Sequence, residues 1–370
     1  MTQYILPTSS YSRIFVSGSI GSGKSAWLEW AAEKYLKQGW LICDLFDAQN
    51  CEGAFWSIPG EFGKRYPIVL LHPDYVEIES PTDYVKPFCD RDGIETALRL
   101  AKDEGRVLTA ATQCYRAGDY YKSVAKWLKG IADYNALELR SDVVLLCREM
   151  SNLTFSLLRT NMEQTHTRRA FLDIIRRSRH SRLTLLMDSQ RLGDVFQSIR
   201  GLCDRLIIKK QHVFNLSEEL QWVHQAIEQK RYLLSQVAGS KKAARHFPSI
   251  GMLYTHEFYA VWPEDRLWKL STNQLASFRH KREKDDFWSK SGCSFKVLRP
   301  SRSEKQEGTS EVVQEESQTK EQLAERALKL KNEGRKYADI ALELGLKSRQ
   351  HVYYYVRMAQ KNVKEQVKST

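Results

Sequence analysis

The sequence predicts an α/β fold, a parallel sheet flanked by helices, followed by a small all-α unit. Three observations carry this. Short apolar runs alternate with longer helical stretches across residues 1–290. A glycine-rich octapeptide, GSIGSGKS (Gly18–Ser25), lies between a strand-like run and a helical one. The composition then breaks at SRSEKQEGTSEVVQEESQ (Ser301–Gln318), and helical patterning resumes after it.

The strand candidates, in order, are Arg13–Ser17, Trp40–Phe46, Ile68–His72, Arg106–Ala111, Val143–Cys147, Leu183–Asp188 and Arg205–Lys209. Their near-continuous Val, Ile and Leu content means that both faces are buried, as in a parallel sheet. Gly251–Trp262 instead alternates aromatic and polar residues and reads as a peripheral antiparallel hairpin. Residues 1–290 are therefore expected to form one domain and 291–318 a flexible linker, too polar to offset its ordering entropy. Residues 319–370 are expected to form a second domain.

Length and composition narrow the class. The chain has 370 residues, 42 % of them hydrophobic, enough for a sizeable core. No apolar run reaches the ~18 residues of a membrane span, and the first residues lack a signal-peptide layout. Seven scattered cysteines, with no C-x-x-C pair, suit a reduced cytoplasmic protein rather than a disulfide or zinc scaffold. A formal charge of +12 favours a polyanionic partner such as nucleic acid, against the alternative of a generally basic surface.

The octapeptide fits G-x-x-x-x-G-K-[ST] at every fixed position. Backbone N–H groups of Gly18, Ser19, Gly21, Ser22 and Gly23 would surround phosphate oxygens, with a helix N-terminus behind them. Lys24 would reach the β- and γ-phosphates of ATP, and the Ser25 hydroxyl would ligate Mg2+.

Hydrolysis needs a second acidic group at a strand end. In SDVVLLCREMSN, Glu149 stands just past the strand Val143–Cys147, placed to orient and polarise a water. Arg148 holds the preceding position, where an aspartate is usual, and a guanidinium can neither bind a metal nor accept a proton. The metal would then be held by Ser25, waters and phosphates, with Glu149, Asp44 or Asp188 as candidate carboxylates. Arg106–Ala111 is read as a strand inserted between the loop and Glu149. An inserted strand of this kind marks the RecA-like, additional-strand layout of motor-type ATPases.

Six arginines (168, 169, 176, 177, 179 and 182) crowd THTRRAFLDIIRRSRHSR, whose Phe171, Ile174 and Ile175 form an apolar stripe. Most such charge is a solvated face. An arginine at its end could stabilise transition-state charge in a neighbouring subunit, and others could line a channel for a phosphate backbone. The next strand ends in Asp188-Ser189-Gln190, where a glutamine can touch a γ-phosphate or the attacking water.

Over Tyr11–Lys210 these motifs and their order resemble the HerA/FtsK superfamily of DNA-pumping ATPases. The resemblance implies an ATPase using ATP and Mg2+, assembled as a hexameric ring that moves duplex DNA. It matches Glu149 to the catalytic glutamate, Gln190 to the polar sensor and Arg179 to the trans-acting arginine finger. Arg148 departs from the usual Asp–Glu pair.

The C-terminal segment predicts three helices, near Lys320–Asn332, Tyr337–Leu344 and Arg349–Lys361, with Gly334 and Gly345 at the breaks and Ser348 as a cap. This is a helix-turn-helix layout. Arg349, Gln350, Tyr353, Tyr354 and Arg357 would face DNA, while Val352, Val356 and Ala359 face the core. A protein-interaction domain with a solvated basic face is the alternative. The whole chain reads as an ATP-driven DNA motor without a membrane anchor, serving genome packaging, plasmid transfer or segregation. The competing readings are an ATP-switched DNA-binding regulator and an assembly ATPase of the filamentous-phage type.

Overall fold

A computed structural model describes residues 6, 11–47, 51–153, 162–190, 195, 197–212, 221–278, 286–298, 320–335, 337, 340, 344 and 352–359. Chain contacts divide it into two units, Met1–Arg299 and Pro300–Thr370.

Among the described residues the first unit has twelve strands: β1 (Arg13–Ser17), β2 (Leu41–Phe46), β3 (Ile68–His72), β4 (Val76–Glu79), β5 (Val85–Cys89), β6 (Val107–Ala110), β7 (Val143–Cys147), β8 (Leu183–Ser189), β9 (Arg205–Ile208), β10 (Glu257–Trp262), β11 (Leu267–Thr272) and β12 (Ser294–Val297). Ten of them form one sheet in the order β11-β10-β9-β1-β8-β7-β2-β6-β3-β5. It is parallel from β9 to β5, and β10 and β11 are antiparallel. The α/β class expected from the apolar runs is therefore the class observed.

Among the described residues the unit also contains helices α1 (Lys24–Leu36), α2 (Ile94–Asp103), α3 (Ala117–Tyr134), α4 (Met150–Leu153), α5 (Met162–Arg177), α6 (Gln197–Arg200), α7 (Gln221–Ala238), α8 (Ser240–His246) and α9 (Phe287–Ser291). Side chains alternate across the strands and build two cores. Ile14, Val16, Val144 and Leu146 pack with Trp27, Leu28 and Ala31 of α1. Phe15, Leu145, Cys147 and Met187 pack with Trp127 of α3 and with Phe171, Ile174 and Ile175 of α5.

Three sequence expectations are corrected. The strand between β1 and β7 is β8, not Arg106–Ala111; β6 lies beyond β2, against β3. Position in the chain did not give position in the sheet. β8 instead pairs on both sides, Val16 with Asp188 and Cys147 with Met187. The hairpin lies later than 251–262: it is β10–β11, turned at Pro263–Arg266, with Arg266 at φ 50°. Ordered chain also continues past residue 290, because β12 pairs antiparallel with β4 and Phe295 packs on Trp288 at 4.7 Å. Strands β4, β5 and β12 escaped notice. β5 carries Pro87, which a sheet tolerates at an edge such as this one.

In the second unit α10 (Lys320–Asn332) ends at Gly334, whose φ of 82° lets Arg335 N–H donate to the Leu330 carbonyl. Ala327, Leu330, Ile340, Val352 and Val356 form its core. Gly345, Ser348, Arg349 and Gln350 lie outside the described residues. Tyr353, Tyr354 and Arg357 are exposed on the helix at 352–359.

Candidate functional site

Residues 18–23 leave the end of β1 as a loop and enter α1 at Lys24. The loop is held close to the neighbouring strand, with Ser19 N–H donating to the Lys210 carbonyl at 3.0 Å. Glycine is required twice by this packing. A Cβ on Gly18 would sit 2.7 Å from Lys209 Cβ, and one on Gly23, at φ 86°, would strike the Thr255 carbonyl oxygen. Lys24 Nζ folds back over the loop toward the Ser19 carbonyl at 3.4 Å. The Ser22 hydroxyl is buried with no hydrogen-bond partner among the described residues. An orphaned hydroxyl in a loop at a helix N-terminus fits a phosphate group. Ser25 is half-buried in the first turn of α1, where a hydroxyl can serve a metal bound to that phosphate.

The carboxylate beside this loop is Asp188, at the end of the strand next to β1. It is buried and accepts the Glu149 backbone N–H at 2.6 Å. Burial pushes its acid up to about 7, the nearby Glu149 charge adds to this, and Lys24 opposes it. Asp188 thus feels the charge of both Glu149 and Lys24. Glu149 itself has φ 50°, a left-handed conformation unusual for a glutamate. Gln190 follows at once and is half-buried.

Arg148 is locked among carboxylates. Its Nε and Nη2 hold both oxygens of Asp44 at 2.9 and 2.6 Å, and its Nη1 reaches Glu29 at 3.3 Å and Glu52 at 3.1 Å. Trp56 Nε1 donates to Asp44 as well, at 2.9 Å. Of the carboxylates weighed for a metal, Asp44 is therefore consumed by an arginine, whereas Asp188 stands free of any cationic hydrogen-bond partner among the described residues. Asp188 thus stands one strand along from Glu149, on β8 between β1 and β7.

Arg179 lies at the other end of the sheet. Its Nη2 meets Asp204 at 3.1 Å, and Arg13, the first residue of β1, holds the same carboxylate at 2.5 Å. Five residue steps of extended chain, about 17 Å at ~3.3 Å each, separate Arg13 from Gly18 at the start of the loop. Arg179 is 66 % exposed. Of the other arginines, Arg177 is held by Asp133 and Asp173 and Arg182 by Asp142 and Tyr11, so these two are structural. Arg169 and Arg176, seven residues apart on one helical face, are exposed.

Sequence reasoning missed Lys209. Its Nζ, buried behind the loop, donates to the Thr255 carbonyl at 2.7 Å and to Asn273 Oδ1 at 2.9 Å. Burial pushes its ammonium down to about 7, against a weak pull from Glu257. The only signal was a lysine continuing an apolar strand, in RLIIKK, which also suits a strand end in solvent. Among the described residues no cluster of His, Cys, Asp and Glu could hold a metal unaided, and no helix is long and apolar enough to cross a membrane.

No protein-family model matches this chain, and no curated protein matches it. Solved structures resemble it weakly. The genome packaging NTPase B204 of Sulfolobus turreted icosahedral virus 2, in complex with ATP-gammaS, is 12 % identical with a TM-score of 0.38, covering 72 % of this chain and 100 % of that one. The pCW3 conjugation coupling protein TcpA is 13 % identical at 0.36, covering 73 % and 61 %. ATPases 2 and 3 of Thermomonospora curvata EccC are 12 % identical at 0.36, covering 72 % and 37 %. Identities and scores of this size decide nothing about what the chain does.

Proposed function

We propose that this protein is an ATP-hydrolysing motor that acts on duplex DNA as a ring of identical subunits, six by its resemblance to the HerA/FtsK superfamily. The observation that carries the reading is the division of the site between two ends of one sheet. The loop, Lys24, Asp188 and Glu149 stand at one end of β1, and the exposed Arg179 stands at the other. In this reading residues 18–25 hold the triphosphate, and Lys24 neutralises its terminal oxygens. Ser25 and Asp188 are the groups that would hold Mg2+ and its waters. The metal would supply charge neutralisation between the β- and γ-phosphates. Glu149, fixed through its N–H on Asp188, orients the attacking water, and Gln190 reports the state of the γ-phosphate. Arg179 cannot serve its own loop, so it completes the site of the next subunit.

DNA contact is assigned to the exposed Arg169 and Arg176 and to the second unit, through the exposed Tyr353, Tyr354 and Arg357 and, on the sequence pattern alone, Arg349 and Gln350. The test is steady-state ATP hydrolysis with and without long duplex DNA, on the full chain and on one ending at Arg299, the boundary between the two units. Stimulation that survives truncation supports a motor whose core senses DNA. Slow turnover indifferent to DNA in both forms supports a nucleotide-switched DNA-binding regulator instead.

A further inference from the structure

The roles above leave two exposed patches of opposite charge unused. The first is on α7 and α8. Val223 and Ile227 of α7 are buried in the core, while Tyr232, Leu233 and Val237 share another face of the helix and stand 65, 57 and 87 % exposed. α8 follows at once with Lys241, Lys242 and Arg245, all exposed. From Gln229 to His256 the chain carries Lys230, Arg231, Lys241, Lys242 and Arg245 and no Asp or Glu. The second patch is on β4 and β12. Asp74, Glu77, Glu79 and Asp83 are exposed there, and residues 73–83 hold no Lys or Arg. Phe295, Val297 and Leu298, on and just past the strand paired with β4, stand 44, 54 and 39 % exposed. Lys296 faces Glu77 in that ladder, and the nearby Lys86 and Arg106 are engaged by Glu104.

The patches belong to opposite edges of the ten-stranded sheet. α7 and α8 lie against β11, with Lys230 over the Trp268 ring at 4.9 Å and Phe247, just past α8, against the same ring at 5.9 Å. β4 connects β3 to the other edge strand, β5. Nine strand spacings of ~4.8 Å put about 43 Å between β11 and β5, so the patches do not meet within one chain. We infer that α7 and α8 of one copy dock on β4 and β12 of the next, with Tyr232, Leu233 and Val237 against Phe295, Val297 and Leu298, and with Lys241, Lys242 and Arg245 against Asp74, Glu77, Glu79 and Asp83. The inference rests on reading the chain as an assembly of identical subunits, and it names the surfaces that hold them together. A contact between unlike patches is head-to-tail, the kind that closes into a ring when its rotation allows. A phosphate backbone uses cations and gains nothing from Leu233 and Val237, whereas a protein surface uses apolar side chains framed by charge.

The experiment is sedimentation velocity on the full chain over a range of concentrations, without DNA and both with and without ATP and Mg2+. Wild type is compared with Lys241→Glu/Lys242→Glu, with Glu77→Lys/Glu79→Lys, with an equal mixture of these two, and with Val237→Asp. The positions changed are all exposed, so the core is left intact. Each double variant carries one sign of charge on both patches and is expected to raise the dissociation constant of assembly at least about tenfold, as is Val237→Asp. The mixture is expected to assemble as wild type does, because opposite charges meet at every contact when the two variants alternate. Double variants that assemble as wild type does overturn the docking surfaces and leave the ring reading standing. A mixture as weak as its parts overturns the pairing of the two patches; loss of duplex DNA or anionic-vesicle binding in Lys241→Glu/Lys242→Glu would then give the basic patch to that occupant instead. A wild type that stays monomeric at every concentration overturns this contact and the ring reading together.

Discussion

Arg148 offers the sharpest test of how this site is held. Its guanidinium is 2 % exposed and neutralises Asp44, 0 % exposed, and Glu29, 2 % exposed, with Glu52 at the rim. Arg148→Met keeps much of the volume but leaves carboxylates buried without their cation. Breaking a buried pair in this way costs about 3–5 kcal/mol. For a domain of this size that lowers Tm by roughly 6–20 °C. Thermal unfolding followed by circular dichroism reads it directly. The double variant Arg148→Met/Asp44→Asn removes the more deeply buried charge, while the Asn carbonyl can still accept from Trp56. It is expected to recover at least about 1 kcal/mol relative to the sum of the two single changes. A single variant within 2 °C of wild type, on the scale of roughly 2–4 °C per kcal/mol, would refute a charge-compensating role for Arg148. Strict additivity of the two changes would refute their coupling.

Three further outcomes are expected. Glu149→Gln keeps the backbone N–H that binds Asp188, so nucleotide binding should persist while turnover falls by at least about a hundredfold, measured by phosphate release. Arg179→Ala should be inactive alone but partly active when mixed with Lys24→Ala, because the two defects fall on different faces; a mixture as inactive as its parts counts against a shared site. Lys209 should give a pH signature. The folded chain releases its proton near pH 7, and the unfolded chain holds it until about 10.4. Between those limits the unfolded state binds more protons, so stability from this group rises with pH, by up to about 1.4 kcal/mol per unit. Lys209→Met should lose that slope, and melting curves whose difference from wild type is flat from pH 7 to 9 would contradict it.

The strands were legible because a parallel sheet covered on both faces writes itself as apolar runs, and the loop because its spacing is dictated by phosphate geometry. Strand order was not legible. Nothing local to Arg106–Ala111 distinguishes a neighbour of β1 from a neighbour of β3, since Val107 and Leu108 are apolar on both faces in either place. The cage around Arg148 was hidden for a related reason. Glu29, Asp44 and Glu52 come from three separate elements, and only the sheet brings them to one guanidinium. Strand β12, with its alternation in SFKV, was lost against a linker whose composition begins to dominate a few residues later.

The arginine that departs from the usual acidic pair is therefore more than a missing ligand. It sits directly before Glu149, and its four hydrogen bonds tie the end of β7 to α1, β2 and the segment Glu52–Ser57. The Glu149 backbone is held in its left-handed turn from both sides, by this cage before it and by Asp188 on its own N–H. A strained residue persists only where its surroundings over-determine it. An aspartate at 148 could ligate metal but could not make those contacts. In the proposed reading the metal-facing role would fall to Asp188 and the holding role to Arg148, so that Asp188→Asn is expected to weaken Mg2+-dependent nucleotide binding and Arg148→Met to slow turnover through misplacement of Glu149. If Arg148→Met instead left turnover intact at a temperature where it is folded, the cage would be structural alone.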